Sequence, residues 1–401
     1  MLSVIQNRMK KKSRPYPYYF DYAATTPVDK RVLDVMLPYF TNHFGNTSSL
    51  HQVGQTANEA VENSREIFAN ALGVSKDEIY FTSSATESNN TVIKGIALTN
   101  RNKGNHIVIS SIEHDCVLNS AKWLEKIDVD LSVTVLDVDK YGKVNPDDVK
   151  KAIKKETILA SIMSANNEMG TIQEIAEIGE ICHQKNVLFH TDASQSFGKT
   201  PIKVSKMNVD LLTASAHKIY GPRGAALLYF KKGIKLEPLL HGGGHESGMR
   251  SSTVNTAAIV GFAKAYELCE VEMEKESKRL SKLRDELIKG VLNIIPNSYL
   301  NGHPVERLSN NVNIRFDFIE GESIILHLDS KGVSASTGSA CSSNSLQPSH
   351  VLLACGLKKE QIHGSLRLSL GRWTTKEDVN YILEVLPPIV KKLRKISPFK
   401  K

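Results

Sequence analysis

The feature that most constrains this chain is the alternation of short apolar runs with helical patterns over residues 55–230. Helix-like stretches, such as Gln55–Leu72 and Glu174–Lys185, lie between runs that are typical of buried strands. The candidate strands are Ile79–Thr82, His106–Ser110, Val133–Leu136, Leu159–Met163, Val187–Thr191, Leu211–Ser215 and Ala225–Phe230. Strands that alternate with helices form a mostly parallel sheet with helices on both faces. We therefore predict an α/β fold whose larger domain contains a mostly parallel, seven-stranded sheet.

The last third of the chain mixes strand and helix patterns without this alternation. A long, charged helical stretch over about Thr256–Leu292 leads into it. The segments that follow are the candidate strands Asn311–Phe316, Gly332–Ala335 and Ser365–Leu370 and the candidate helices Glu322–Asp329 and Lys376–Lys392. This pattern predicts a smaller α+β domain. We place the large domain at 27–275 and the small domain at 276–401, completed by the N-terminal segment 15–26.

The first 14 residues form a basic arm, 1–14, that contains no acid and carries Arg8, Lys10, Lys11, Lys12 and Arg14. Such an arm is typical of a flexible tail, and an organelle-targeting segment is the alternative. The whole chain has a formal net charge of +8, but its lysines are scattered, so we expect no stable nucleic-acid binding. No apolar run approaches the roughly 20 residues that span a bilayer. We predict a cytoplasmic protein without a membrane partner, with a mitochondrion or related organelle as the alternative.

The five cysteines of the chain are Cys116, Cys182, Cys269, Cys341 and Cys355. Their odd number, their wide spacing and the lack of a Cys-x-x-Cys pair argue against a disulfide framework or a structural zinc site. The same features indicate a reducing compartment. Four of the cysteines have aliphatic neighbours and are expected to be small buried side chains. Cys341 differs, because the run of small polar residues around it predicts a thiol that is accessible to other molecules.

A carboxylate and a lysine follow two of the candidate strands. Asp192 comes directly after Val187–Thr191, and Lys218 lies three residues after Leu211–Ser215. In open α/β sheets, ligands bind at the carboxyl ends of the strands. This pair suits pyridoxal 5′-phosphate (PLP), because a lysine forms a Schiff base with PLP and an acid holds the pyridine nitrogen protonated. Ordinary surface charges are the alternative, and the buried strands that precede both residues argue against it.

Other polar residues also follow candidate strands of the same sheet. Thr86 lies after Ile79–Thr82, at the start of a helical pattern, where it can cap the helix or donate to a phosphate. His114 follows His106–Ser110, and without a family context it is best interpreted as a hydrogen-bonded histidine near the core. Asn167 follows another strand in the same way. We expect these side chains at the edge that also holds the lysine and the carboxylate.

Short motifs follow one another from about residue 19 to residue 397. The motifs are Asp21–Pro27, Thr82–Asn90, Asn166–Gly170, His190–Ser196, Ser215–Gly224, Gly242–Glu246, Gly338–Ser343 and Arg367–Arg372. Together they resemble the cysteine desulfurases of the NifS/IscS type, in the class V aminotransferase family. The resemblance implies a homodimeric, PLP-dependent transferase of fold type I. It also implies conversion of L-cysteine to L-alanine, with transfer of the sulfur to an enzyme cysteine as a persulfide.

The resemblance implies a set of residues that hold PLP. Lys218 is expected to form the Schiff base and then to act as acid and base, and Asp192 is expected to pair with the pyridine nitrogen. Gln195 is expected to bond the phenolic oxygen, and His114 to stack on the ring and assist proton transfer. The expected phosphate contacts are Ala85, Thr86, Ser215, His217 and Thr253. Because Thr253 is expected to reach the phosphate from a partner subunit, the active form should be a dimer.

The resemblance also implies how substrate and sulfur are handled. Arg367 is expected to bind the carboxylate of L-cysteine, since a guanidinium is a natural bidentate partner for it. Asn167 is expected to lie between cofactor and substrate, and Cys341 to accept the sulfur. A sulfur-acceptor or iron–sulfur scaffold protein is the expected partner, for iron–sulfur cluster assembly and for thiolation of tRNA or cofactors. No resident metal is predicted, although Cys341 is a candidate for a transient iron–sulfur ligand.

Other functions stay open at this point. Another PLP reaction, transamination or selenocysteine cleavage, is one alternative, and a catalytically inactive sulfur carrier or assembly scaffold is another. Cys341 argues against a transaminase, which needs no acceptor thiol. Lys218, Asp192 and His114 argue against a scaffold, which need not keep a cofactor site. The sequence does not separate cysteine from selenocysteine cleavage, and RNA binding through the basic arm is a further alternative.

Overall fold

The structure, a computed structural model, describes residues 18–337 and 348–398. The chain divides into two compact units. The large unit comprises Thr25–Asn167 and Thr171–Glu274. The small unit comprises Glu168–Gly170 and the described parts of Met1–Ala24 and Lys275–Lys401. The basic arm 1–14 and Cys341 lie outside the described residues. Within the described ranges, none of the helices combines the length and the hydropathy that a bilayer crossing requires.

The large unit is built on one seven-stranded sheet. Its strands are β2 Ile79–Thr82, β3 His106–Ser110, β4 Ser132–Leu136, β5 Thr157–Ser161, β6 Leu188–Asp192, β7 Leu211–Ser215 and β8 Ala226–Phe230. Their order across the sheet is β2-β8-β7-β6-β5-β3-β4. Strand β8 pairs antiparallel with β2 and β7, and the other four neighbouring pairs are parallel. The predicted mostly parallel, seven-stranded sheet is confirmed.

One predicted strand is displaced along the chain. The apolar run Leu159–Met163 predicted a strand that ends at Met163, whereas β5 begins at Thr157 and ends at Ser161. Ile162 and Met163 are nevertheless buried, with 0% and 3% of their surface exposed. Apolarity marks burial here rather than pairing, because the chain stays in the core after it has left the sheet.

Helices and turns connect the strands of the large unit. The helices are α1 Lys30–Met36, α2 Pro38–Thr41, α3 Gln52–Leu72, α4 Ala85–Thr99, α5 Asp115–Ile127, α6 Pro146–Ala152, α7 Ile175–Gln184 and the start of α8 Thr256–Ile294. Two of them have clear end signals. Helix α3 ends at Gly73, whose φ of +72° favours glycine, and α4 begins after Ser84, whose hydroxyl accepts from the Glu87 amide at 3.1 Å.

Alternating side chains of the strands enter two hydrophobic clusters. On β3, Val108 packs in one cluster, while its neighbours Ile107 and Ile109 pack in the other. The first cluster contains the ring of Phe68, whose centroid lies 4.6 Å from that of Phe262. Because successive side chains of a strand point to opposite faces, this pattern buries both faces of the sheet. The sheet is therefore a rigid interior layer whose strand ends can position polar groups.

The small unit contains two smaller sheets. Its strands are β1 Tyr18–Tyr19, β9 Ser298–Leu300, β10 Asn311–Phe316, β11 Val333–Ser334 and β12 Ser365–Ser369, and its helices are the end of α8 with α9 Gly321–Asp329, α10 His350–Ala354, α11 Lys359–Ile362 and α12 Lys376–Ile396. Strands β9, β10 and β12 pair antiparallel, and β1 pairs parallel with β11. Phe20, Leu287, Phe316 and Leu386 belong to one buried cluster. The N-terminal strand thus completes a small α+β unit.

Candidate active site

One edge of the large sheet collects the predicted polar residues. Strands β3, β5, β6 and β7 are mutually parallel, and β2 runs in the same direction because β2 and β7 both pair antiparallel with β8. Thr86 follows β2, His114 follows β3 and Asn167 follows β5. Asp192 ends β6, and Lys218 follows β7. The carboxyl ends of these strands form the usual place for a ligand in such sheets.

Asp192 is held in place by two donors. Its side chain is buried, with 6% of its surface exposed. Nδ2 of Asn89 donates to Oδ2 over 2.7 Å, and the backbone amide of Ser194 donates to Oδ1 over 2.9 Å. Each carboxylate oxygen therefore accepts a hydrogen bond, which fixes the plane of the group. The sequence motif contained Asn89, but sequence reasoning assigned it no role.

A neutral histidine supports β6 two residues before Asp192. His190 is fully buried, with Nδ1 at 2.8 Å from Ser161 Oγ and Nε2 at 3.2 Å from Thr213 Oγ1. Burial lowers the pKa of His190 to about 4, against a smaller opposing effect of Asp192. The imidazole is therefore neutral near pH 7 and ties β6 to both neighbouring strands.

A single turn of 3-10 helix, Ala216–Lys218, follows β7 and carries the predicted lysine. The hydroxyl of Thr26 donates to the carbonyl oxygen of His217 over 2.9 Å and accepts from the Tyr220 amide over 2.8 Å. Nδ1 of His217 lies 3.1 Å from the hydroxyl of Thr25. Burial, followed by the nearby charge of Lys218, lowers the pKa of His217 to about 4. His217 can thus act as a neutral hydrogen-bond donor.

A second lysine lies close to the same turn. Nζ of Lys199 donates to Oε1 of the buried Gln195 over 3.5 Å. Burial, and then repulsion from Lys218, lower the pKa of Lys199 to about 7, against a smaller opposing effect of Cys269. Within the described ranges, Lys199 forms no ion pair. Sequence reasoning missed it, because an isolated lysine after a glycine gives no signal of burial.

His114 caps helix α5 and contacts a thiol. Its Nδ1 accepts from the backbone amide of Cys116 over 3.2 Å and lies 3.1 Å from Cys116 Sγ. The same sulfur lies 3.2 Å from Nδ2 of Asn89. The prediction of buried cysteines is confirmed for Cys182, Cys269 and Cys355 and is wrong for Cys116, which is half-buried. The thiol packs against the hydrophobic cluster that contains Ile107 and Ile109, and it also contacts the polar side chains of Asn89 and His114.

The beginning of α4 is a candidate anion site. Ser84 caps the helix through its hydroxyl, so the capping role that the sequence allowed for Thr86 belongs to Ser84. Thr86 is exposed in the first turn and Ala85 is half-buried. The amides of a helix start favour a negatively charged group. Ser215, which ends β7, is buried, with 3% of its surface exposed.

Thr253 lines a cavity of about 270 Å³ in the large unit. Thr82, Ser83 and Arg250 also line it. Arg250 pairs with Glu87 in the first turn of α4, with Nε at 2.8 Å from Oε1. This ion pair fastens the loop that carries Thr253 beside the start of α4.

Arg367 belongs to the small unit and lies in the middle of β12. It is buried, with 2% of its surface exposed, and its Nη2 donates to Oδ1 of Asp21 over 2.9 Å. Its backbone amide donates to the carbonyl oxygen of Ser336 over 2.6 Å, and the Ser336 amide donates back over 3.2 Å. Arg367 thus holds Ser336, which lies two residues before the segment 338–347. This segment contains Cys341 and is outside the described residues.

Comparison with known proteins places the chain in a family. The sequence profile of the class-V aminotransferases matches residues 18–382. A protein named cysteine desulfurase IscS from Methanosarcina thermophila is 56% identical over 380 residues, which cover 95% of this chain and 93% of that protein. A protein of the same name from Dictyoglomus turgidum is 52% identical over 382 residues, which cover 95% and 96% of the two chains. The chain belongs to the class-V aminotransferase family, in its cysteine desulfurase branch. The family resemblance predicted from the motifs is confirmed.

Solved structures agree with this membership. A NifS-like protein superposes with a TM-score of 0.88 at 37% identity, over 94% of this chain and all of the other. SspA, solved in complex with cysteine, superposes with a TM-score of 0.80 at 37% identity, over 90% of this chain and all of the other. The predicted fold of PLP-dependent transferases is confirmed. Enzymes of this family depend on PLP, which does the electron-accepting chemistry.

Proposed function

We propose that the protein is a PLP-dependent cysteine desulfurase, which converts L-cysteine to L-alanine and takes the sulfur onto Cys341 as a persulfide. One observation carries this proposal. The carboxylate of Asp192 is buried and fixed by two donors at the end of β6, and Lys218 follows the adjacent strand β7. The names of relatives that align over nearly the whole chain support the same activity.

The residues at the sheet edge fit PLP. An amine suits the aldehyde of PLP, and a fixed carboxylate suits its pyridine nitrogen. The neutral imidazole of His217 and the start of α4 suit its phosphate. Lys218 would hold the aldehyde carbon, and Asp192 would face the pyridine nitrogen. Gln195 and His114 would contact the ring, and the proposed phosphate contacts are Ala85, Thr86, Ser215, His217 and Thr253. When bound, PLP withdraws electrons from the substrate's α-carbon.

The protein's own groups would bind the substrate and move its protons. Arg367 would bind the substrate carboxylate through two parallel hydrogen bonds, with its guanidinium oriented by Asp21. Asn167 would donate to the substrate or the cofactor. The amine of Lys218 would take the proton from the α-carbon of cysteine and return a proton during formation of alanine. His114 would assist these proton transfers by hydrogen bonding through its ring.

Cys341 would carry out the sulfur step. Its thiolate would attack the sulfur of the bound cysteine, so that a sulfur–sulfur bond forms while the carbon–sulfur bond breaks. The electron pair of the broken bond stays on carbon, which gains a proton and becomes the methyl group of alanine. The balance is L-cysteine plus one enzyme thiol, giving L-alanine plus one enzyme persulfide, and it needs no external oxidant.

The persulfide must then reach a partner. We propose a sulfur-acceptor or iron–sulfur scaffold protein as the recipient, for iron–sulfur cluster assembly and for thiolation of tRNA or cofactors. We also propose a homodimer, in which Thr253 serves the site of the partner subunit. A cytoplasmic location suits the four free cysteines of the described ranges, since free thiols persist in reducing compartments.

Four purified proteins test the proposal: wild type, Lys218→Ala, Cys341→Ala and, as a matched control, Cys355→Ala. Cys355 is a buried cysteine with 8% of its surface exposed. The measurements are the visible absorbance of bound PLP and the release of alanine and sulfide from L-cysteine with dithiothreitol present. We expect wild type and Cys355→Ala to bind PLP and to release both products in equal amounts.

The two site variants should fail in different ways. Cys341→Ala should keep the PLP absorbance and lose turnover, whereas Lys218→Ala should lose both. Full turnover by Cys341→Ala would contradict the acceptor assignment and favour a less specialised PLP lyase. A wild-type protein that binds no PLP would contradict the enzyme proposal and favour a scaffold.

A further inference from the structure

We propose that Cys116 is a positioning residue, which orients the imidazole of His114 and links it through Asn89 to the carboxylate of Asp192. This inference rests on the proposed function, which places His114 at the cofactor. It gives a role to a thiol that neither the motifs nor the reaction require. The four residues come from β6, α4, α5 and the residue before α5, and all belong to the large unit.

The contacts form one continuous chain of hydrogen bonds. Asn89 Nδ2 lies 2.7 Å from Asp192 Oδ2 and 3.2 Å from Cys116 Sγ. Cys116 Sγ lies 3.1 Å from His114 Nδ1. Asn89 is fully buried, so its amide group cannot exchange these partners for water. A path of three contacts therefore joins the carboxylate proposed for the pyridine nitrogen to the imidazole proposed for proton transfer.

The direction of each hydrogen bond follows from what each atom can donate. Asp192 accepts, so Asn89 must present its NH₂ group to the carboxylate. The second hydrogen of this NH₂ group points to Cys116 Sγ, which accepts. His114 Nδ1 already accepts from the Cys116 amide, so the thiol donates its own hydrogen to Nδ1. His114 then carries its proton on Nε2 when the imidazole is neutral.

The orientation of Asn89 is also fixed by charge. Its Oδ1 atom is buried and has no hydrogen-bond partner among residues 18–337 and 348–398. Rotation of the amide by half a turn would place this oxygen against the carboxylate of Asp192, where two acceptors repel each other. The amide thus keeps one orientation, and the thiol receives a donor from one side and an acceptor from the other.

This arrangement has two consequences for His114. The hydrogen bond from the Cys116 thiol to Nδ1 fixes the orientation of the imidazole ring, and it therefore also fixes the direction of the Nε2–H bond. Protonation at Nδ1 must displace both the amide and the thiol donors, so the thiol opposes protonation. The titratable groups near this path, besides His114 itself, are Asp192 at the end of β6, Glu113 before the helix and Asp115 at its first position.

The test uses the PLP-loaded protein and its variants Cys116→Ala and Cys116→Ser. A control, Cys182→Ala, removes the fully buried thiol of α7, which contacts none of these residues. NMR titration of the histidine rings follows His114, whose signal is assigned by its loss in His114→Gln. In parallel, the rate of alanine release is measured against cysteine concentration and pH.

We expect Cys116→Ala to raise the midpoint of the His114 titration by about half a pH unit, as for loss of one hydrogen bond. We expect kcat to fall about tenfold with KM nearly unchanged, because the ring loses its orientation. Cys116→Ser keeps a donor and should restore both quantities, and Cys182→Ala should change neither.

Two results would overturn the inference: an unchanged titration and kcat in Cys116→Ala, or the same changes in Cys182→Ala. The NMR readout does not need turnover, so the two proposals fail separately. A shifted titration in a protein that forms no alanine supports the role of Cys116 and contradicts only the proposed function.

Discussion

The side-chain amide of Asn89 donates to the carboxylate of Asp192 over 2.7 Å in the buried interior of the large unit. Helix α4 therefore supports the proposed site twice. Its first turn presents Thr86 and the amides that favour an anion, and its next turn holds the carboxylate at the end of β6. A single element thus sets the distance between the proposed phosphate end and the proposed pyridine end of the cofactor site.

Replacement of Asn89 by leucine should impair both stability and activity. The variant leaves one oxygen of a buried carboxylate without its donor, which costs about 1–3 kcal/mol of unfolding free energy. We expect a loss of kcat of at least tenfold, because Asp192 loses its fixed plane. Urea unfolding and alanine release measure the two effects. Asn90→Ala is the control, since within the described ranges the side chain of Asn90 donates only to the Thr86 carbonyl oxygen, and equal effects of both variants would contradict the role of Asn89.

The buried carboxyl group of Glu113 should make stability depend on pH. Burial raises the pKa of Glu113 to about 8, against the hydrogen bonds from Ser110 and Met163, compared with 4.5 for the free side chain. Between these values the unfolded chain ionises while the folded protein keeps the proton, so this contribution to stability falls as pH rises. The contribution of Glu113 to stability is fully present below about pH 4.5 and lost above about pH 8. It amounts to on the order of a few kcal/mol.

Glu113→Gln removes this titration while it keeps an oxygen that can accept from Ser110 and Met163. Urea unfolding is measured at pH 5 and at pH 8. The unfolding free energy should fall more between these two pH values in the wild type than in the variant. All other titrating groups are common to both proteins and cancel in the difference. The same loss in both proteins would contradict the raised pKa of Glu113.

Much of the fold follows from local patterns. Each of the seven strands of the large sheet overlaps an apolar run, because buried strands of a parallel sheet are apolar on both faces. In the small unit, Asn311–Phe316 was predicted with its observed ends. The end of β5 was predicted two residues late, since the chain remains buried after leaving the sheet. The sequence therefore predicted the presence of each strand better than the position of its end, although the strand ends position the polar residues.

The parts of the site that sequence reasoning missed depend on contacts between distant residues. Asn89 and Asp192 are separated by 103 positions, and no local pattern pairs them. Cys116 packs against an apolar cluster, as its aliphatic neighbours in sequence indicate, but its contact with Asn89 joins residues 27 positions apart and has no local signal. Lys199 is held near Gln195 and Lys218 by the turn that follows β6 and by the turn that follows β7. Chemistry at strand ends could be predicted from residue types, whereas the residues that support it required the three-dimensional arrangement.

The buried ion pair of Arg65 and Glu246 should stabilise the loop that carries Thr253. Nη1 and Nη2 of Arg65 donate to the two carboxylate oxygens at 2.8 and 2.9 Å, and 4% of the Glu246 side chain is exposed. Arg65→Met leaves the buried carboxylate of Glu246 with the Phe81 amide as a donor but without its charged partner, so we expect a loss of about 3 kcal/mol in unfolding free energy. Lys30→Met breaks the exposed pair with Asp34 and should cost less than about 0.5 kcal/mol in the same urea titration. Similar losses in both variants would contradict this role.

Replacement of Arg367 by lysine should weaken substrate binding. A lysine cannot form two parallel hydrogen bonds to the cysteine carboxylate, so we expect KM to rise by at least tenfold, with a smaller change in kcat. The control is Arg315→Lys on the neighbouring strand β10, where Arg315 packs 4.3 Å from the ring centroid of Tyr299. Steady-state rates of alanine release check both variants. An unchanged KM in Arg367→Lys would show that another group binds the carboxylate.

Mixed dimers can decide whether Thr253 acts across subunits. Thr253→Val should weaken PLP binding in a homodimer, and Lys218→Ala should abolish it. If Thr253 serves the partner's site, a dimer with one chain of each variant regains one intact site, because the Thr253→Val chain supplies Lys218 and the other chain supplies Thr253. We therefore expect co-expressed, doubly tagged mixed dimers to recover about half of the wild-type activity per dimer. If Thr253 instead serves its own chain, where it lines the cavity beside Ser83, the mixed dimer has no intact site and its activity does not exceed that of the Thr253→Val homodimer. Since both variants are present in equal amounts in either case, recovery of activity depends only on the subunit from which the threonine comes.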